Sequence, residues 1–542
     1  MASESAPQPT RALALGIGGG AFAAALVFTL VVRDLGAAAG IFWAALCALV
    51  WASLLDYRTG LLSLLVLAPF DRITQGYLHA TQTWYPPPLH PIDVVAVVVL
   101  LRWGYAFAGR RLQMRLQWYD WVASAFFAVL VLGALRGVAA GYDKTLAVAR
   151  FIPLLVLYLP ARELFSTPHN WGLTQRAIGW AVTIYCLAAP WAAYAAAPQD
   201  VWDVEAILLP RLVYVSDPRI LLLAVCLSWI GLWRRSLTGR SAMGVLAALL
   251  VLSGVLTLCN TRTFWVGLIV AWSLLVVLLW YSRASFGLGL KVAGAGMAAC
   301  LAGIIAVYGL AGFGPFHREP PPRLQSTAGL EAAHFSGLRP PLRLAAVPVV
   351  TGPGPWALRL EQPALAPVAG RPHANWPAVF RLVRDPDSVE RPERGLQNRV
   401  REAVAAITTM SRLELLVGRG IGAPVTYIHV LPTREEARQS AEIHNSYVGF
   451  IHSTGLPGLT LCLIWLLGVL GSARRTLVRR KNPGLLALWS GSALFLCASL
   501  VMANVGGDLS WAPTAFLFAL SAAALASRPP AEAGAEPAEP AG

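Results

Sequence analysis

Charge is what this chain has least of. Asp, Glu, Lys and Arg make up 13% of its 542 residues, against about 25% in an ordinary soluble domain. A single core cannot bury so many uncharged residues, which excludes a soluble globular protein. Cysteine is sparse as well. Cys47, Cys186, Cys226, Cys259, Cys300, Cys462 and Cys497 all fall in or at the edge of apolar segments. The longest polar stretch has none, so a disulfide framework or a thiolate metal site there is excluded. There is no H-E-x-x-H and no C-x-x-C, and no motif calls for a cofactor. The only D-x-D is Asp385-Pro386-Asp387; it reads as a chance match on a solvated loop or as a metal-phosphate site, and no metal ligand is assigned. The net charge of +15 is split into short clusters between apolar runs. It forms no continuous basic block, so nucleic acid is not the expected partner.

What fills the chain is apolar sequence, 56% of residues, with 20 Trp. Runs of about 18 or more apolar residues recur, and each can cross a bilayer as a helix. Spans are expected at about 12–32, 36–55, 59–71, 91–107, 119–137, 143–160, 175–197, 218–233, 241–259, 263–281, 289–312, 456–473, 484–503 and 511–527. Ala12 to Val32 is too long for the apolar part of a cleavable signal and reads as the first span. The expected fold is an all-α polytopic membrane protein of about 12–14 transmembrane helices. Residues 1–312 form an N-terminal bundle, 313–455 one large periplasmic insert, 456–527 the C-terminal helices, and 528–542 a disordered cytoplasmic tail.

Orientation follows from the basic residues of the short loops. With the N-terminus inside, Arg58, Arg110, Arg111, Arg115, Arg162, Arg176, Arg234, Arg235, Arg240, Arg283, Lys291, Arg474 and Arg475 fall on the cytoplasmic side. The insert then lies outside, in a periplasm if the cell is Gram-negative. Its first half is crowded with Pro and Gly, and reads as irregular structure or as a lid. In its second half, Leu396 to Leu416 carries Val400, Ala403, Val404, Ile407, Met410, Leu413 and Leu416 near a 3.6 period. That predicts an amphipathic helix on the membrane surface. Gly418, Gly420 and Gly422 follow it, as a plain turn or a phosphate cradle.

Ionisable groups near a bilayer are costly and mark function by default. Three outer arginines stand out: Arg150, Arg211 and Arg262. Arg262 sits in Cys259-Asn260-Thr261-Arg262-Thr263-Phe264, where one span turns straight into the next. Its planar fork suits a pyrophosphate; snorkelling to lipid phosphate is the plainer reading. For Arg150, a place near a helix end is the plainer one. His444 is the candidate general base, because an imidazole titrates near about 6.5. Asn445 and Ser446 are placed to orient a ring or a hydroxyl. Tyr447 and Phe450 offer an aromatic face, and His452 lies about two helical turns on. A histidine in an aromatic segment is also, more plainly, interfacial padding.

The stretch AEIHNSYVGFIHSTGLPGLTLCLIW, with His444, Asn445, Tyr447, Gly455 and Gly458, resembles the histidine region of the bacterial O-antigen ligase and Wzy-type O-antigen polymerase superfamily, which also includes protein O-oligosaccharyltransferases. Asn398-Arg399 through the helix to Gly418, Gly420 and Gly422 is similar to that family's Arg-led surface helix and glycine turn. Asn260-Thr261-Arg262-Thr263 looks like its arginine corner, with Asn260 and Thr261 replacing small serines. Arg211 sits where the family has a periplasmic arginine, and Arg219 departs from its usual pattern.

The resemblance implies a glycosyltransferase that is inverting and metal-independent. Its donor would be an undecaprenyl-pyrophosphate-linked glycan and its acceptor a hydroxyl. His444 would deprotonate the acceptor. Arg262 and Arg211 would hold the pyrophosphate, with Asn445, Tyr447 and Arg399 in support; Arg150 is added to them only as a third outer arginine. An O-antigen ligase acting on lipid A-core is the leading expectation. A polymerase extending a growing polysaccharide, a protein transferase, and a lipid-linked glycan transporter (which needs no base) are the alternatives.

Overall fold

The computed structural model describes residues 37–71, 90–109, 116–196, 218–234, 240–258, 262–281, 286–313, 392–430, 435–477, 483–504, 509 and 512–527. The span expected at 12–32, the Pro- and Gly-rich half of the insert, Asp385, Asp387, Arg211 and the C-terminal tail lie outside the described residues.

This is a multi-pass membrane protein. Among the described residues, four helices are long and apolar enough to cross a bilayer: Pro91–Ala108, Trp118–Ala139, Thr145–Leu164 and Ser446–Ala473. Shorter apolar helices pack around them, such as Arg219–Leu232, Leu488–Met502 and Ala512–Ala526. We number the elements that position the site. Helix α1 is Pro91–Ala108, α2 Trp118–Ala139, α3 Arg219–Arg234, α4 Arg262–Tyr281, α5 Pro392–Thr408 and α6 Arg412–Val417. Strands β1 and β2 are Val425–Val430 and Glu435–Ser440; α7 is Ser446–Leu477, α8 Pro483–Met502 and α9 Ala512–Ala526.

Proline dictates where the spans break. Its ring lacks an N–H and collides with the carbonyl four residues earlier. The span Thr145–Leu164 is therefore three short helices, interrupted at Arg150, three residues before Pro153, and at Leu157, three before Pro160. Helix α7 kinks at Gly455 (φ 75°), just ahead of Pro457. Below that kink Trp465 is fully buried. Its ring meets Phe127, Tyr158 and Phe518 edge-on at 5.6, 5.0 and 6.1 Å. Such aromatic pairs add about 0.5–1.5 kcal/mol each beyond burial, and here they lock α7 to α2, to the broken span and to α9.

Outside the bundle the all-α expectation needs correcting. Strands β1 and β2 form an antiparallel hairpin, with Val425 opposite Ser440 and Val430 opposite Glu435. In β1, Val425 and Tyr427 are buried while Thr426 and Ile428 are exposed. That is the period-two alternation of a half-buried strand. The helix expected over Leu396 to Leu416 is two helices. Ser411 starts the second: its hydroxyl accepts from the Glu414 N–H, and its own N–H donates to the Glu414 carboxylate at 2.7 Å. This capping box commits Ser411 to a helix start, which ends the first helix before it.

Helix α5 has a buried polar side and an exposed apolar one. Its buried stripe is Asn398, Glu402 and Ala406, packed on β1 and Ile443, while Val400 and Val404 are 53% and 54% exposed. The apolar stripe read from the sequence is therefore the outward one, and a carboxylate lies inside.

Candidate functional site

His444 stands at the head of α7, at the end of the bundle where α2 and α8 finish. Asn445 is the N-cap: its Oδ1 accepts from the N–H groups of Tyr447 and Val448, both at 3.1 Å, which satisfies two of the orphan donors of a helix start. Its Nδ2 donates to the Asn504 carbonyl at 3.0 Å. The Ser446 N–H donates to the Ala503 carbonyl at 2.9 Å, and the Ser446 hydroxyl accepts from the Leu509 N–H at 3.0 Å. Tyr447 donates its hydroxyl to the Leu500 carbonyl at 2.7 Å. Asn445, Ser446 and Tyr447 thus fasten the head of α7 to the end of α8. The Asn445 side chain and the Tyr447 hydroxyl are spent on backbone groups in these bonds.

The residue that does hold His444 is Glu402, which carried no signal in the sequence. Its Oε2 lies 2.8 Å from His444 Nδ1 and accepts the His444 backbone N–H at 3.0 Å. The Glu402 side chain is 1% exposed and the His444 side chain 48%. A buried carboxylate therefore grips a half-exposed ring from behind. The other oxygen, Oε1, is buried and meets no donor among the described residues. Arg399 lies three residues ahead of Glu402 on α5, half-buried beside the buried Asn398.

His452 does not share the exposed face of His444. It is 2% exposed, and its Nε2 has no partner among the described residues. Its carbonyl, loosened by the kink at Gly455, accepts the Arg419 N–H at 2.7 Å; the next carbonyl, Ser453, accepts the Gly420 N–H at 3.1 Å. The Ile421 N–H goes to the Gly133 carbonyl at 2.9 Å, and the Gly418 N–H to Glu414 at 2.7 Å. With these amides occupied, the glycine turn cannot cradle a phosphate through them. Its glycines are there for close approach. Gly418 and Gly420 have φ of 73° and 107°, and a Cβ on either would run into the backbone of Ser453 or Gly137. Behind the turn, Glu414 accepts from the Ser411 amide and from Arg419, which holds its carboxyl down at about 2.

Arg150 departs from the expected pyrophosphate role. Its Nε donates to Asp93 at 2.6 Å, and its Nη2 to both Asp71 oxygens at 3.2 Å. His90 Nδ1 lies 2.9 Å from the same Asp71, and the His90 N–H donates to Asp93 at 2.9 Å. The fork is closed on two buried carboxylates and ties the break of one span to the start of α1. Arg162, read as a cytoplasmic loop charge, is likewise buried at the other end of the bundle. It pairs bidentately with Asp120 at 3.0 and 2.9 Å, and it donates to the Ala526 carbonyl at the end of α9 at 2.6 Å.

Arg262 is the first residue of α4; its side chain, together with Asn260 and Thr261, lies outside the described residues. Its end of the molecule is nonetheless fixed. Gly267, one turn on, packs against Met502 of α8 and Leu222 of α3. The next residue, Ala503, bonds to Ser446. Arg219, at the start of α3, is buried with its guanidinium 5.8 Å from the centre of the Phe264 ring of α4. The starts of α3, α4 and α7 are therefore joined through the end of α8, and the Arg262 backbone, Arg219 and His444 share one end of the bundle. Comparison with protein-family models, with curated proteins and with solved structures finds no match to this chain.

Proposed function

We propose that the chain is a glycosyltransferase of the bacterial inner membrane. It moves a glycan from undecaprenyl pyrophosphate to an acceptor hydroxyl at the periplasmic face. The observation that carries this reading is His444, a half-exposed imidazole at the head of a membrane-spanning helix. A second support comes from Arg262 and Arg219. Each occupies the first position of a helix, where the helix dipole disfavours a cation. Both stand at the end of the bundle that carries His444, where Arg219 also lies over the Phe264 ring of α4.

In the reaction His444 takes the proton of the acceptor hydroxyl. The acceptor oxygen attacks the anomeric carbon from the face opposite the pyrophosphate. The bond from that carbon to the phosphate oxygen breaks, and the electron pair leaves with undecaprenyl pyrophosphate. One attack from the opposite face inverts the anomeric centre. Arg262, with Arg211, stabilises the charge growing on the leaving group, the role such fixed cations play in acyl and phosphoryl transfer. Lipid A-core is the leading acceptor class, followed by a growing polysaccharide and a protein hydroxyl. The test is transfer by the purified protein from a lipid-pyrophosphate glycan, offered each acceptor in turn. Transfer in the wild type and its loss in His444→Ala support the reading; full transfer by His444→Ala removes the base.

A further inference from the structure

We infer that Glu402 is the positioning residue of this site: it holds His444 as the Nδ1–H tautomer and so makes Nε2 the nitrogen that receives the proton. The inference rests on the reading of His444 as the base. A carboxylate has only acceptors to offer. At 2.8 Å from Glu402 Oε2, Nδ1 must carry the hydrogen, and a neutral imidazole then has its lone pair on Nε2. The His444 backbone N–H reaches the same oxygen at 3.0 Å, which fixes the ring's origin as well as its edge. The ring's remaining freedom is rotation toward solvent, and the Nδ1 bond removes it.

The burial argues in the same direction. An ionised carboxylate taken out of water costs several kcal/mol unless it is compensated. Glu402 is 1% exposed, and its second oxygen meets no donor among the described residues. Its neighbour one turn on along the stripe is Ala406. A plain clamp between α5 and α7 would be built more cheaply from apolar contact. A carboxylate aimed from the dry side at one nitrogen of an exposed ring does what a clamp does not: it selects a tautomer and stabilises the imidazolium formed when the ring accepts a proton. After transfer the positive ring faces the negative Glu402, and the proton then leaves from Nε2 to water.

The test reads the tautomer directly. Nitrogen spectra of ¹⁵N-histidine-labelled protein report which ring nitrogen is protonated. The chain has nine histidines, and the His444→Ala spectrum identifies the signal that belongs to this one. Neutral His444 protonated at Nδ1 in the wild type, and shifted toward the Nε2–H form in Glu402→Ala, is the expected result. Neutral His444 protonated at Nε2 in the wild type overturns the inference, whatever the variants do. Where Glu402→Ala does not fold, Glu402→Gln serves. Its amide oxygen still accepts from Nδ1 and from the backbone, so the Nδ1–H form persists. Transfer in Glu402→Gln nevertheless falls in kcat by about tenfold, because a neutral amide accepts a weaker hydrogen bond from the imidazolium than a carboxylate does, with little change in KM for the donor. Wild-type kcat in Glu402→Gln overturns the stabilising role. A protein with the expected tautomer whose His444→Ala variant still transfers glycan overturns the catalytic reading instead, so the two failures are distinguishable.

Discussion

The Ser453 carbonyl accepts the Gly420 N–H at 3.1 Å because Pro457, four residues on, has no N–H to offer it. That bond, with its neighbour from Arg419 to His452, seats the glycine turn in the kink of α7. The turn then wedges against Gly133 and Gly137 of α2. The head of α7, and with it His444, is held rigidly relative to the bundle. Gly420→Ala forces an alanine to a φ of 107° and against the Gly137 backbone. Left-handed strain alone costs about 1–3 kcal/mol, so the thermal midpoint of the purified protein falls clearly. Gly104→Ala, which meets open space in a helix, leaves it unchanged or raises it.

Arg150 provides the sharpest separation of structure from chemistry. Removing one partner of a buried ion pair costs about 3–5 kcal/mol, and Arg150→Ala takes the arginine from two buried carboxylates, Asp71 and Asp93. Denaturation should show a loss of that order. In the fraction that folds, donor affinity should match wild type. A selective loss of donor binding with unchanged stability would return Arg150 to the pyrophosphate site.

Arg262 is expected to behave in the opposite way. In Arg262→Lys the charge remains but the two-pronged fork is lost. Transfer should fall by about tenfold or more, with the melting temperature little changed. Equal donor affinity and equal turnover in the two forms would sink its assignment.

The capping box of α6 sets a pH dependence. Glu414 is held down at about 2, first by the Ser411 amide and then by Arg419. A depressed carboxyl contributes stability that is full above the ordinary carboxylate value of about 4.3 and is lost as pH falls through about 2. Wild type and Glu414→Gln should therefore differ in melting temperature at pH 6, and the difference should shrink steadily between pH 5 and pH 2.

The apolar framework was legible in the sequence because each helix needs only a local run of suitable length. The expected span 91–107 is the helix Pro91–Ala108, and 119–137 is Trp118–Ala139. The glycine turn was legible for the same local reason. The partners were not. Glu402 and His444 are 42 residues apart, as are Asp120 and Arg162, and Arg150 is 79 from Asp71; no local pattern says which carboxylate will meet which cation. The apolar stripe of α5 was legible as a periodic pattern, but the buried Asn398, Glu402 and Ala406 opposite it were not, because a lone carboxylate leaves no local signal. The hairpin did leave a trace, the alternation Val425, Thr426, Tyr427, Ile428, inside a segment read only for helices.

The most direct measurement of the central claim is glycan transfer by the purified wild-type protein and by His444→Ala, using a lipid-pyrophosphate-linked oligosaccharide donor and a hydroxyl acceptor. The account predicts a new glycoside and released lipid pyrophosphate from the wild type, and a drop of at least about 100-fold in the variant. Equal transfer by both proteins, or movement of the intact lipid-linked glycan across the membrane with no glycoside formed by either, contradicts it.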